Sequence, residues 1–535
     1  ATTWLGLTMA CAQCHTHKYD PITHDEYFQF FAFFNNVPET GGVDKRSGAG
    51  CAFGSKSTVQ LSRPLLSLPT EEQRKKQQEL GKEIKEQEAI MEALLPVVDP
   101  KRREWEDGFT LAQLVDRTRF RGNVSSHLRT KEEDRNATQK RDITEFYLHK
   151  GDHGNKRWTS LGAEIFSLRT ELRETGESIV EVMVMEDNPP EKMRETFVLD
   201  RGDYQQPTTK VSAGTPSFLP AMDQSAPRNR LGLAKWLVDG ENPLTARVTV
   251  NRLWAQFFGI GMVKTAEDFG VQGELPKHPE LIDWLAVEFV ESGWDVKHLV
   301  RLMVTSSAYR QSSEFTPEKQ ERDPENRLVG RGARSRLPAM LLRDQALAVA
   351  GLLKTEIGGH PVYPHQPEGL WKDFSFGKIS YPHQEIEGQL HRRSLYTFWR
   401  RTSAPPNMFD SSSRQVCTVK ASTTNTPLHA LTLLNDKAYV EAARALARRM
   451  LKEGGANTDD RLDFAFQLAT GRSPDDREHQ LLMNGFERSL NEFRSFEDDA
   501  AEYAGVGETE SVVELAALTR MAQVILNLDE TLNRP

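Results

Sequence analysis

Cysteine is scarce. Cys11, Cys14, Cys51 and Cys417 are the four in 535 residues, which excludes a scaffold built on disulfides. No apolar run approaches the roughly 20 residues that a membrane-spanning helix needs. Positive charge is short as well, 68 Lys and Arg against 77 Asp and Glu for a net charge of −9. There is no basic field of the kind that recruits nucleic acid, so no nucleic-acid partner is expected. A second C-x-x-C is missing, which removes a zinc ribbon. No G-x-S-x-G surrounds a serine, and Gly41-Gly42 and Gly358-Gly359 do not make a phosphate loop. The 38% hydrophobic and 27% charged content is that of an ordinary globular protein. The length allows two or more domains with sizeable cores.

Against that background, two of the four cysteines fall three residues apart with histidine next, in Cys11-Ala-Gln-Cys14-His15. C-x-x-C-H is the spacing at which haem c is joined through two thioethers. Two cysteines on one helical turn can meet the two vinyl groups of one porphyrin edge, and the adjacent imidazole then ligates the iron. Cys11, Cys14 and His15 are the candidate cofactor-binding residues, with His15 on the iron and His17 or His24 as second ligand. Zinc is the alternative, held by Cys11 and Cys14 with His15, His17, His24 or Cys51. A thioredoxin-like pair is a further rival, but no βαβ pattern surrounds the motif. Haem c is attached outside the cytoplasmic membrane, so the motif points to the periplasm or cell surface. There Cys51 and Cys417 either pair or remain two buried thiols. The opening Ala1-Thr-Thr-Trp-Leu5 shows no charged region followed by an apolar stretch. No signal peptide is read there, and the sequence is expected to be a fragment whose upstream part is missing.

The periodicities predict a mainly α (α+β) fold: a multi-helix C-terminal domain with a few short strands and an inserted charged helical arm. Residues 1–45 form a first segment, 46–100 a loop and charged arm, 101–190 a mixed linking region, and 191–535 the mainly helical C-terminal domain. Thr23-His-Asp-Glu26 is a capping box opening a helix that carries Tyr27, Phe28, Phe30, Phe31, Phe33 and Phe34. Those rings suit a porphyrin or an ordinary core. A charged helix is expected from Thr70 to Leu95, ended by Pro96, after a loop over 42–67. Ile179–Met185, Glu195–Leu199 and Arg393–Trp399 read as strands, with Arg201-Gly202-Asp203 as a strand-ending turn. Helices are expected from the Asn242-Pro243 start to Phe258, from Pro279 to Ser292, from Asp295 to near Tyr309, and from Thr426 onward.

In the C-terminal part, Arg252, Asp268 and His278 are the candidate catalytic residues. They belong to a polar group that includes Asn251, Arg247 and the arginines 392, 393, 400 and 401. Such a cleft would bind a uronate or sulfated sugar by bidentate hydrogen bonds, with Trp236, Trp254, Trp284, Trp294, Trp371 and Trp399 available to stack on rings. The competing reading is buried Arg–carboxylate pairs and core aromatics. A hydrolase working through Asp268 or Asp283 has no paired-carboxylate motif behind it. His360, His365, His383 and His391 are spaced irregularly and read as exposed or hydrogen-bonding imidazoles.

Several strings resemble one bacterial family: Cys11-Ala-Gln-Cys-His-Thr-His-Lys-Tyr-Asp-Pro21, Asn242-Pro-Leu-Thr-Ala-Arg-Val-Thr-Val-Asn-Arg-Leu-Trp254, Glu267-Asp-Phe-Gly-Val-Gln-Gly273, His278-Pro-Glu-Leu, Ser306-Ser-Ala-Tyr-Arg-Gln311, Thr424-Asn-Thr-Pro-Leu428 and Asn527-Leu-Asp-Glu-Thr531. The sequence is similar to planctomycete-type proteins that join a cytochrome-c-like domain to a conserved C-terminal domain of unknown function. His429 stands where that family usually has Gln. The resemblance implies a cytochrome-related protein from organisms rich in carbohydrate-degrading enzymes, and attaches no reaction to the C-terminal domain. The expectation is therefore an extracytoplasmic haem c protein in electron transfer, with a redox partner protein and a carbohydrate-derived substrate. If it is an enzyme, it is an oxidoreductase linked to haem c. The alternative is a non-redox carbohydrate-binding or surface-assembly protein whose Cys/His site holds a metal or nothing.

Overall fold

The computed structural model describes residues 1–38, 64–110, 113–114, 123–150, 156–358, 361–366, 369–370, 389–398, 405–411, 418–420, 423–506 and 512–534. Cys51, Cys417, His360, His383, Trp371, Trp399, Arg400 and Arg401 lie outside them, and with them the Cys51–Cys417 pairing. Helices dominate as predicted. Among the described residues, sheet is limited to three two-stranded antiparallel ribbons. The described residues fall into two compact units, those within Ala1–Thr40 and Glu186–Pro535 in one and those within Val59–Met185 in the other.

The smaller unit is built on the Glu71–Asp107 helix. Thr70 and Gln73 close a capping box at its start by exchanging side-chain bonds with each other's backbone N–H. The expected stop at Pro96 does not occur. Proline removes one helical hydrogen bond at a cost of about 3 kcal/mol. Burial outweighs that cost, because Met91, Leu94 and Trp105, on both sides of Pro96, pack on the buried rings of Tyr147 and Trp158. The Lys156–Glu177 helix lies along the same helix, with Lys76–Glu171 and Arg169–Glu88 ion pairs between them. Residues 65–67, expected as the end of the loop, belong to a strand: Leu65–Leu68 pairs with Val180–Met183 from Leu65↔Met183 to Leu68↔Val180.

In the larger unit, residues 1–38 share a core with the segment that follows the ribbon of Thr196–Leu199 and Pro207–Val211. Leu5, Leu7, Ile22, Phe30 and Phe33 are buried with Leu219, Met222, Leu233 and Trp236. This settles two of the rings on the His24–Asn35 helix as protein core, while Phe31 and Phe34 stay exposed. Three helices, Thr245–Phe258, Pro279–Glu291 and Val296–Thr305, enclose a second core around Trp254, Phe258, Ile282, Phe289 and Leu299. Asn242 accepts from the N–H groups of Leu244 and Thr245, so the first of these helices begins slightly later than the sequence suggests.

The predicted strand at Arg393 is not one. Ser394–Tyr396 is a 3-10 turn, and only an isolated bridge joins Thr397 to Val362. Side chains replace the ladder. The buried Arg343 guanidinium donates to the carbonyls of Leu390 and Arg392, and Asp344 accepts from the Ser394 N–H at 2.7 Å.

The C-terminal helices, Lys437–Glu453, Thr458–Thr470, Asp476–Ser495, Glu497–Ala504 and Val512–Leu526, form the largest core. Between two of them His479 bridges Asp463 through Nδ1 at 2.8 Å and Asp459 through Nε2 at 3.0 Å. Hydrogen bonds to these two carboxylates raise the His479 pKa above its ordinary 6.5.

Two outcomes follow from this packing. Leu446 is fully buried, so Leu446→Ala should cost about 2–5 kcal/mol in denaturant unfolding. Leu431→Ala, at a 58% exposed position, should stay within about 0.5 kcal/mol. The His479 bridge should contribute fully below its ordinary pKa and be lost as pH rises through the raised one. Unfolding midpoints taken from about pH 6 to about pH 9 should therefore fall in a component that His479→Gln removes.

Candidate functional site

The cysteine motif occupies a 3-10 turn, Met9–Gln13, which Cys14 closes. Met9 and Ala12 point into the core. Positions three apart eclipse in a 3-10 turn, so anchoring Met9 and Ala12 leaves Cys11 and Cys14 on a common outer face. Both thiols are exposed and unpaired. His15 is exposed, and its Nδ1 donates to the Thr16 carbonyl at 2.7 Å. A carbonyl only accepts, so Nδ1 carries the hydrogen and Nε2 of the neutral ring keeps its lone pair.

The two other histidines are differently employed. His17 is buried; its Nδ1 accepts from the Asp20 N–H at 2.8 Å and its Nε2 bonds the Thr8 hydroxyl at 3.3 Å. Both ring nitrogens are thus occupied within the loop. His24 donates from Nε2 to the Gln13 carbonyl at 2.9 Å, pinning the middle of the cysteine turn, and meets Phe28 edge-on. Around Cys14 the wall is polar backbone and one phenol. A Cβ on Gly202 would lie 3.3 Å from the Cys14 sulfur and 3.2 Å from the Gln13 carbonyl. Gly202 has φ +76°, so the predicted turn needs glycine for its conformation and for the room it leaves. Burial, and then the nearby Cys14, push the Tyr27 phenol above its usual range. Burial would raise Glu26 too, but bonds from Ser217 and Thr23 more than offset it and hold that carboxyl below its ordinary value. Among the described residues no group of three His, Cys, Asp or Glu side chains stands ready for a metal ion.

The C-terminal candidates do not gather into a cleft; each holds a different piece of backbone. Arg252 donates to the Thr3 carbonyl at 2.8 Å and lies over the Trp4 ring. Asp268 accepts from the Gly270 N–H at 2.8 Å, and the His278 Nε2 bonds the Arg327 carbonyl at 3.0 Å. Asn251 is fully buried and exchanges two 2.9 Å bonds with the backbone of Val263. Arg247 pairs with Asp283, Arg393 with Asp344, and His391 with Glu441. Arg392 is buried with its guanidinium over Tyr396. Trp236 and Trp254 are core residues, Trp294 packs against the second core, and Trp284 is exposed.

Residues 229–485 match the family described as PSD1, protein of unknown function (DUF1553), and residues 1–39 match PSCyt2, protein of unknown function (DUF1549). The chain carries a PSCyt2 match followed by a PSD1 match. This is the architecture its motifs resemble, a planctomycete cytochrome C segment with a conserved C-terminal domain. No curated protein and no solved structure matches it.

The two matched segments interlock. The buried Asp20 carboxylate accepts from the Val271 N–H at 2.8 Å, and a Cβ on Gly270 would fall 2.4 Å from Asp20 Oδ1. The Phe269 N–H donates to the Gly6 carbonyl at 2.7 Å. The strings Cys11–Pro21 and Glu267–Gly273 are therefore two sides of one contact.

One further polar cluster in the PSD1-matched region lies apart from the candidate residues of the sequence. Asp410, at φ 58°, accepts from the N–H of Thr424 at 2.6 Å and from its hydroxyl at 2.8 Å. His429 stacks on Phe409 at 4.0 Å with its Nε2 4.0 Å from Asp410, and buried Asn407 donates to Asp436. Thr424-Asn-Thr-Pro-Leu428 and the departure at His429 were the available signals.

Asp20→Ala should leave the Val271 N–H unsatisfied and cost about 1–3 kcal/mol. Hydrogen exchange should show loss of protection across 264–275 and across the cysteine turn together.

Proposed function

We propose that Cys11 and Cys14 are a covalent haem c attachment site with His15 as iron ligand, and that the protein takes part in extracytoplasmic electron transfer. The observation that carries this reading is the state of the triad: two exposed thiols on one face of a turn, followed by an imidazole whose Nδ1 is tied to a carbonyl. That second bond is the usual device for orienting a metal-bound histidine and fixing its tautomer. The donor set therefore fits the group. When bound, haem c supplies one-electron chemistry through its iron.

This chain's own residues would do the rest. Met9 and Ala12 hold the turn on the core, the Thr16 carbonyl orients His15, and His24 fixes the Gln13 carbonyl between the two thiols. His17 has no ring nitrogen left to hold the iron, so His24, through Nδ1, would be the remaining second ligand from the sequence. The exposed face of the turn is where a redox partner protein would approach. A link to polysaccharide-derived substrates rests on the family resemblance, with Trp284 as the exposed ring; Arg252, Asp268 and His278 are assigned structural work.

The test is expression in the periplasm of a host with cytochrome c maturation, followed by haem staining of the denatured protein. The wild type should stain and the Cys11→Ser/Cys14→Ser double variant should not. His15→Ala should keep the stain and lose the ligand-field signature of a histidine-bound iron. A colourless wild-type protein overturns the proposal, and bound zinc in its place would favour the non-redox alternative.

A further inference from the structure

A groove of about 740 Å³ lies in the C-terminal bundle, away from the cysteine turn in sequence and built from other helices. Its walls are the Asp476–Ser495 and Val512–Leu526 helices, which run antiparallel: Arg520 bonds Glu492, and the missing side chain of Gly485 faces Met521. A Cβ on Gly485 would meet Met521 at 3.1 Å. The lining spans residues 478 to 489 on one wall, about 16 Å at 1.5 Å per residue. The volume is within the range of about 300–1,000 Å³ typical of small-molecule sites.

The floor and sides are apolar: Phe466, Leu482 and Met521 are buried, while Leu481 is 61% and Val524 43% exposed at the lip. The charges on the lining are distributed unevenly. Arg472 bonds both Glu478 and Glu530 and holds Glu478 down at about 2, closing one end. Asp529 pairs with Arg334, and Arg520 with Glu492. Every lining carboxylate is thus matched by an arginine. Arg488, at the other end, is exposed and makes no hydrogen bond among the described residues; the carboxylate beside it, Glu492, is already paired with Arg520.

We propose that this groove binds a free small amphipathic carboxylate, its apolar chain lying between Leu481 and Val524 and its head group on Arg488. The apolar trough supplies burial, and Arg488 offers the bidentate donor geometry that carboxylates match. A cationic head would meet only carboxylates already engaged by arginine. A neutral polar ligand would leave Arg488 unused.

Calorimetric titration of the full chain with decanoate, and separately with decanol, tests this. Decanoate should bind saturably at one site, and Val524→Phe or Leu481→Gln, both at exposed positions, should weaken it at least about tenfold. Arg488→Ala should weaken decanoate about tenfold or more and leave decanol unchanged. Absence of saturable binding overturns the proposal, as does indifference of binding to both wall variants. Equal affinity of wild type and Arg488→Ala for decanoate overturns the head-group assignment. The protein should stay in the supernatant with phosphatidylglycerol vesicles; co-sedimentation lost in Arg488→Ala would reassign the site to membrane lipid and overturn the free-ligand proposal.

Discussion

Burial of the N-terminal apolar residues is the constraint on which the rest of the candidate site depends. Leu5, Leu7, Ile22, Phe30 and Phe33 leave water against Leu219, Met222, Leu233 and Trp236. At about 1.5–3 kcal/mol for each fully buried side chain, this exceeds the polar bonds nearby, each worth about 1 kcal/mol net. The bonds decide register instead. With Met9 and Ala12 fixed inward, Cys11 and Cys14 have only the outer face left. His17 and His24 then hold the turn from within, one through Thr8 and Asp20 and the other through Gln13.

The same division of labour explains why the distinctive polar residues of the PSD1 region do not converge. A loop that crosses a core carries N–H and C=O groups that need partners. Asn251 satisfies both backbone groups of Val263, Asp268 takes the Gly270 N–H, and Arg252 takes the Thr3 carbonyl. Their side chains are specific because backbone geometry is specific, which gives them the look of catalytic residues in a sequence. The contacts favour the reading of them as locks on backbone, although the Arg247–Asp283 and Arg393–Asp344 pairs are not buried.

Local chemistry was legible from the chain, and long-range compensation was not. The capping box at Thr23–Glu26, the helix start at Thr70, the Asp295 cap and the glycine-marked breaks all announce themselves within four residues. Pro96 was read by its local cost, whereas the rings of Tyr147 and Trp158 that outweigh it are some fifty residues away. The apolar alternation at Arg393 resembles a strand, but its backbone is claimed by Arg343 and Asp344 from another helix. At the cysteine turn the spacing gave the donor set; the fate of each histidine depended on which carbonyl or N–H folding brought to it.

The interlock also accounts for how a separate unit can stand between the PSCyt2 match and the PSD1 match. Within the larger unit, residues just after the His24–Asn35 helix meet residues that follow Glu186. Asn188 donates from its N–H to the Asn36 carbonyl at 3.2 Å, and Asn35 reaches the Thr196 hydroxyl at 3.1 Å. With residues 36 and 188 held together, whatever lies between closes a loop whose ends are already fixed. The entropic cost of such a loop grows only slowly, about 0.6 kcal/mol for each doubling of length. An insertion there leaves the shared core of residues 1–38 and 219–236 intact. The cysteine turn and the PSD1 helices are in consequence one folded object separated in sequence, and a disturbance at Asp20 or Val271 has to be felt at Cys14.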